Sequence, residues 1–256
     1  MERLLLFLSK SIFMIKLLVS ASLILTLFST VRAQNKISHQ AWNSLLAKHV
    51  SPYGLVDYEG FKKDEAKLNG YLELLRKNVP NGYWNVNSQK AYWINAYNAF
   101  TVKLILEHYP LESIMEIKVD EKDAWHIPFI NLDNKLYTLD YIENVMLRGQ
   151  FNDSRIHFVI NCSAVSCPPL KNKAYFPDNL DIELRLSARR FINDKRHNIL
   201  SENHLQVSQI FQWYEKDFLV EEPTIQQYIN INTPHIEVSK DASLNYLEYN
   251  WKLNKQ

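Results

Sequence analysis

The chain has 256 residues, with 29 basic against 28 acidic side chains and a formal net charge of +1 at pH 7. Near-neutrality without basic runs argues against nucleic acid or an anionic membrane surface as a partner. Five glycines form no phosphate-cradling loop, and eight histidines show no His-x3-His or His-Glu-x-x-His spacing, so neither a cofactor nor a metal site is expected.

The chain begins with the basic residues Arg3, Lys10 and Lys16, then an apolar stretch from Leu17 to Phe28, then Val31-Arg32-Ala33. Basic start, apolar middle and small residues at −3 and −1 are the parts of a secretory signal, which places cleavage after Ala33 and the protein in the periplasm or outside the cell. The apolar stretch is short of the roughly 20 residues of a membrane span, so no stable span is expected after cleavage. Residues 34–256 then form a single domain, since no repeat, low-complexity segment or linker interrupts them.

Ser38 is placed to cap a helix carrying Trp42, Leu45, Leu46 and His49, which Pro52-Tyr53-Gly54 breaks. "LVDYEGF" reads as a loop or a short extended piece. Residues 62–77 show Leu68, Tyr71, Leu72 and Leu75 at helical spacing, and Pro80-Asn81-Gly82 marks a turn. The longest helix signal, about 87–109, is apolar on almost every side and is therefore read as a buried central helix. A narrow polar stripe remains on it: Asn95, Asn98 and Thr101.

"LYTLDYIENVMLR" reads as a strand entering a helix, capped by Thr138 or Asp140. "RIHFVIN" is β-branched and apolar, the pattern of a buried strand. Asp178 is placed to cap a helix whose core face is Leu180, Leu184, Ala188 and Phe191. A short strand passing into a helix follows in "HLQVSQIFQWYEKDF", a last helix in "TIQQYININ", and extended pieces in "HIEVSK" and "LNYLEYNW". Helices dominate and strands are short, which gives a mostly helical α+β domain around a small sheet.

The two cysteines of the chain, Cys162 and Cys167, share one loop between that presumptive strand and Pro168-Pro169. Three readings compete. Cys162 is a nucleophile if a base and an orienting group come within reach. His157 lies five residues earlier, on the opposite face of a regular strand. His126 is the alternative base, and Glu143 or Asp140 the orienting group. A Cys162–Cys167 disulfide needs Cα atoms about 5.5 Å apart and would contribute about 2 kcal/mol. The third reading is two buried small hydrophobes. Asn95 and Asn98 could orient a substrate or stabilise an oxyanion, although buried asparagines more often bond backbone. Asn161 and Arg155, flanking the apolar run, are further candidates for substrate contact.

"AYWINAYNAFTVKLILEHYP", "RIHFVINCSAVSCPPL", "AYFPDNLDIELRLSARRFIND" and "VSQIFQWYEKDF" occur in this order, and with them the chain resembles the family catalogued as domain of unknown function 547 over about residues 85–220. Exported bacterial members of that family are a leader followed by the domain, as here; plant members carry the domain behind a coiled-coil segment. The resemblance implies that Cys162 is the functional member of the pair, because serine tends to replace Cys167 in plant relatives. It also implies that Asn144 stands where bacterial relatives carry histidine, and that the helix of Trp93, Asn95 and Asn98 is a shared feature. No activity is attached to the family. Two functions are therefore carried forward: an exported thiol hydrolase or transferase acting on acyl or peptide-like envelope substrates, and a non-catalytic envelope module binding a small molecule, peptide or envelope ligand.

Overall fold

The computed structural model describes residues 37–256, and the expected leader lies outside them. Helix α1 (Gln40–His49) starts after His39, with the Gln40 amide donating to Ser38 Oγ at 3.3 Å. The segment expected to be a loop or extended instead forms helix α2 (Tyr58–Lys63). Asp57 caps it by accepting from the Gly60 amide, and Tyr58 and Phe61, three apart, both point inward. A cap followed by two apolar residues one turn apart is enough for a short helix when a core receives them. Helix α3 (Glu65–Lys77) follows after Asp64 and buries the expected Leu68, Tyr71, Leu72 and Leu75.

Helix α4 (Val86–His108) is capped by Asn85 and buried along nearly its whole length. α2, α3 and the later helix α5 pack around it, which is why its sequence carries no solvated face. Two small hairpins follow, β1 (Lys118–Val119) with β2 (Lys122–Asp123) and β3 (Ile130–Leu132) with β4 (Lys135–Tyr137). Thr138 caps the next helix, its Oγ1 accepting from the Tyr141 amide at 3.0 Å. That helix, α5 (139–151), contains a π-helical stretch, Ile142–Arg148, which nothing in the spacing announces.

The apolar run expected as a buried strand is not one. Ser154–Phe158 is a 3-10 turn, capped by Asp153, and the chain then runs past α4 without a strand neighbour. Asn98 takes that neighbour's place, with Nδ2 donating to the Val159 carbonyl at 2.9 Å and Oδ1 accepting from the Asn161 amide at 2.8 Å. A primary amide offers the same donor and acceptor as a peptide group, so one side chain satisfies the buried backbone that a ladder would otherwise serve. The run's composition thus reports burial and not pairing.

Helix α6 (Leu180–Ile192) begins after a 3-10 turn, Pro177–Asn179, and buries Leu180, Leu184, Ala188 and Phe191. A three-stranded sheet joins β5 (Ile199–Leu200) and β6 (His204–Val207), antiparallel, to β7 (Ser243–Tyr246), which is parallel to β6 with Leu205 opposite Leu244. Short helices α7 (Ile210–Trp213), α8 (Glu215–Phe218) and α9 (Ile225–Asn232) lie between β6 and β7. "HIEVSK", expected to be extended, forms no strand. The fold is mostly helical α+β with small sheets, as expected. No helix among the described residues is long and apolar enough to cross a membrane.

Candidate functional site

Between α4, α5, the 3-10 turn and the C-terminal segment lies a pocket of about 210 Å³. Cys162 opens onto it, half-buried and reduced, as is the buried Cys167. The loop carrying them is fixed from several sides. Asn161 Nδ2 donates to the Pro168 carbonyl at 2.8 Å, and its Oδ1 accepts from the Ser163 amide at 2.9 Å. The C-terminal segment adds Val165 N–H to the Lys252 carbonyl at 2.8 Å and Asn254 N–H to the Ser163 carbonyl at 3.0 Å. On the other side Gly54, at φ +84°, lets the backbone approach Pro169, where a Cβ would sit 2.4 Å from the proline Cβ.

Around the sulfur, the Cys162 amide donates to Cys167 Sγ at 2.8 Å, and Cys162 Sγ lies 3.3 Å from the Tyr249 hydroxyl. Burial pushes the Cys162 thiol up, but hydrogen bonds from the Cys167 thiol, the Tyr249 hydroxyl and the Ala164 amide outweigh it and hold the thiol below its ordinary value. Burial and the neighbouring Cys162 push Cys167 the other way. The two sulfurs are therefore unequal, and Cys162 is the one disposed to ionise.

His157 lines the same pocket. The opposite-face objection fell with the strand. Its ring stacks on Tyr214, centroids 3.8 Å apart, and its Nε2 lies 2.7 Å from Asp217 Oδ2 on α8. Arg148 clamps the same carboxylate with Nε at 2.7 Å and Nη2 at 3.0 Å. Burial pushes Asp217 up, but the His157 and Arg148 hydrogen bonds overcome it and hold the carboxyl well below the ordinary range. An ionised carboxylate only accepts, so Nε2 carries a ring proton, which in the neutral imidazole leaves the lone pair on Nδ1. Nδ1 is buried and makes no hydrogen bond with the described residues.

Glu143, on the π-helical stretch, also faces the pocket, where it accepts a 2.5 Å hydrogen bond from the Tyr214 hydroxyl. It therefore holds the ring on which His157 stacks and does not touch the imidazole. Burial and the Glu143 carboxylate push the Tyr214 hydroxyl far up, so it remains a donor. Trp213, Tyr249 and Trp251 close one wall, with centroids 4.5 to 5.8 Å apart, and Trp125 meets Trp251 edge-on.

Several expected site residues lie elsewhere. His126 is exposed, bonded at 2.7 Å to Asp123, and outside the pocket; its neighbour Trp125 is the residue that lines it. Asn95 is spent on the backbone of Tyr175, donating at 2.8 Å and accepting at 3.0 Å, just as Asn98 is spent on residues 159 and 161. Asn161 is a buried loop staple. Arg155 is committed to Asp153 and Asp181 on a different face. Asn144 bridges Asp140 and Arg148, and so supports the residue that clamps Asp217.

Residues 82–192 match the model of the family described as "Protein of unknown function, DUF547". This segment is similar to that family. The match contains Glu143, His157, Cys162 and Cys167 and ends at Ile192, short of the span to about 220 expected from the quoted motifs. Trp213, Tyr214, Tyr249 and Trp251 therefore complete the pocket from beyond the matched segment, and Asp217 holds His157 from there as well. No curated protein and no solved structure matches the chain. Trp213, Tyr214 and Asp217 were legible as part of "FQWYEKDF"; Arg148, Tyr249 and Trp251 carried no signal beyond their residue types.

Proposed function

We propose that this pocket is a thiol-dependent hydrolase or transferase site acting on acyl or peptide-like substrates, in a protein exported by its leader. A free thiol shares one pocket with an imidazole whose orientation and tautomer a half-buried carboxylate fixes, and that observation carries the reading. Cys162 gives its proton to His157 Nδ1, and the sulfur attacks the substrate carbonyl to form a tetrahedral intermediate. As this collapses, the bond to the leaving group breaks, and that group departs with the proton from Nδ1, leaving a thioester. Water or a second nucleophile then attacks the thioester, returns a proton to Nδ1 and frees Cys162. Asp217 stabilises the transient imidazolium, and Arg148 keeps Asp217 ionised and in place.

One observation favours the non-catalytic module instead. Among the described residues the hydrogen bond to Cys162 Sγ from another side chain beyond the loop comes from Tyr249 and not from a histidine. Alkylation of the reduced protein by iodoacetamide near pH 7, mapped by mass spectrometry, separates the readings. A rate at Cys162 roughly tenfold or more above that of a simple thiol, lost in His157→Ala, supports catalysis. Labelling no faster than the simple thiol removes the enzyme and leaves the binding module.

A further inference from the structure

The lining of the Cys162 pocket contains no lysine and no arginine, although the chain carries 29 such residues. Its one carboxylate is Glu143, whose side chain is almost wholly buried, bonded to Tyr214 and in no ion pair within 4 Å among the described residues, although Arg148 feels its charge at longer range. Arg148, the nearest guanidinium on the same helix, is neutralised by its two-pronged bond to Asp217 and lies over Tyr214, outside the lining. The same lining presents the aromatic cluster of Trp213, Tyr249 and Trp251. Aromatic faces carry negative electrostatic potential, and a carboxylate beside them in a water-poor cavity adds to it. A neutral apolar substrate does not need the carboxylate. An anionic one would meet repulsion from the carboxylate and from the aromatic faces.

We propose that the pocket selects substrates bearing a positively charged ammonium group, protonated or quaternary, close to the reacting carbon, with Glu143 as the counter-charge and the Trp213–Tyr249–Trp251 wall as the cation-π surface. This rests on the thiol reading only for which part of the substrate reacts. Charge selection at the pocket stands or falls separately.

The test compares methanethiosulfonate reagents with a trimethylammonioethyl, a methyl or a sulfonatoethyl group. Each transfers its thioalkyl group to the Cys162 sulfur, forming an S–S bond and releasing methanesulfinate. Rates at Cys162 are divided by those for 2-mercaptoethanol with the same reagents, in wild type and in Glu143→Gln, which keeps an acceptor for Tyr214. The normalised cation-to-anion ratio is expected to exceed one by about tenfold or more in wild type and to fall several-fold in the variant. A ratio near one, or one unchanged in a folded Glu143→Gln protein, overturns the proposal. So does failure of all three reagents to reach Cys162. A clear cation preference at a thiol that iodoacetamide labels slowly sinks the catalytic reading while leaving charge selection in force.

Discussion

Replacing Asp217 with asparagine tests the central assumption about His157. The carboxylate accepts three hydrogen bonds, one from His157 and two from Arg148. An asparagine keeps the shape, and its oxygen takes the site shared by His157 Nε2 and Arg148 Nε, because an NH2 there would face two donors; the NH2 then meets Arg148 Nη2. The ring keeps its tautomer but loses the negative charge that stabilises the imidazolium formed when Nδ1 receives the Cys162 proton. Cys162 alkylation near pH 7 should drop to the level of an ordinary thiol, and turnover of any substrate found should fall by about a hundredfold or more. Hydrogen bonds to a charged group contribute about 1.5–3 kcal/mol each, and the partial replacement plus residual exposure of the carboxylate brings the expected cost in stability to about 2–4 kcal/mol.

The pH dependence has a definite sign. A carboxyl held below its ordinary value of 3.8 contributes stability that is present above that value and is lost as pH falls through the depressed one. The stability gap between wild type and Asp217→Asn, from urea unfolding, should therefore be constant above about pH 5 and shrink below about pH 4. Arg148→Gln serves as the control, since it loses stability but leaves the Asp217 charge beside His157. An Asp217→Asn protein that folds and alkylates at the wild-type rate, with the wild-type pH profile, refutes the reasoning.

Other sites give independent checks. Burial pushes His39 down to about 4, and its Nε2 has no hydrogen bond among the described residues, so stability should be lost as pH falls from 6.5 toward 4. The gap corresponds to about 3 kcal/mol, and His39→Gln should flatten the urea midpoint against pH by that amount; an unchanged slope counts against it. Asn98→Leu strands the Val159 carbonyl and the Asn161 amide in the core and should cost about 2–5 kcal/mol by urea unfolding, whereas a loss under 1 kcal/mol would mean that the surrogate-strand role is wrong. Gly54→Ala puts a Cβ against Pro169 at a left-handed backbone position; it should cost about 1–3 kcal/mol and slow Cys162 alkylation, and unaltered alkylation would detach this contact from the cysteine loop.

Which parts of the molecule the sequence discloses follows from the range of the forces involved. Periodicity and capping act within a turn or two, so α3, α4 and α6 are readable, and Thr138 is rightly placed as a cap. The apolar run before Cys162 misleads because burial and strand pairing write the same composition, and the deciding contact comes from Asn98, sixty-three residues from Asn161. The cysteine loop stands out by residue type alone. The partners of the site do not, because Asp217 reaches His157 from 60 residues and Tyr249 reaches Cys162 from 87 residues along the chain, and no local pattern encodes such distances. The assignment of His157 shows the coupling between the two errors. Reading a strand put this histidine on the wrong face and turned attention to His126, so correcting a single backbone conformation also changes which histidine lines the cysteine pocket. The polar stripe on α4 belongs to the same account, since Asn95 and Asn98 are used up in holding the segments that present His157, Cys162 and Tyr175. Chemistry on this scaffold is therefore carried by side chains that the central helix positions, while the helix itself keeps its amides for the backbone.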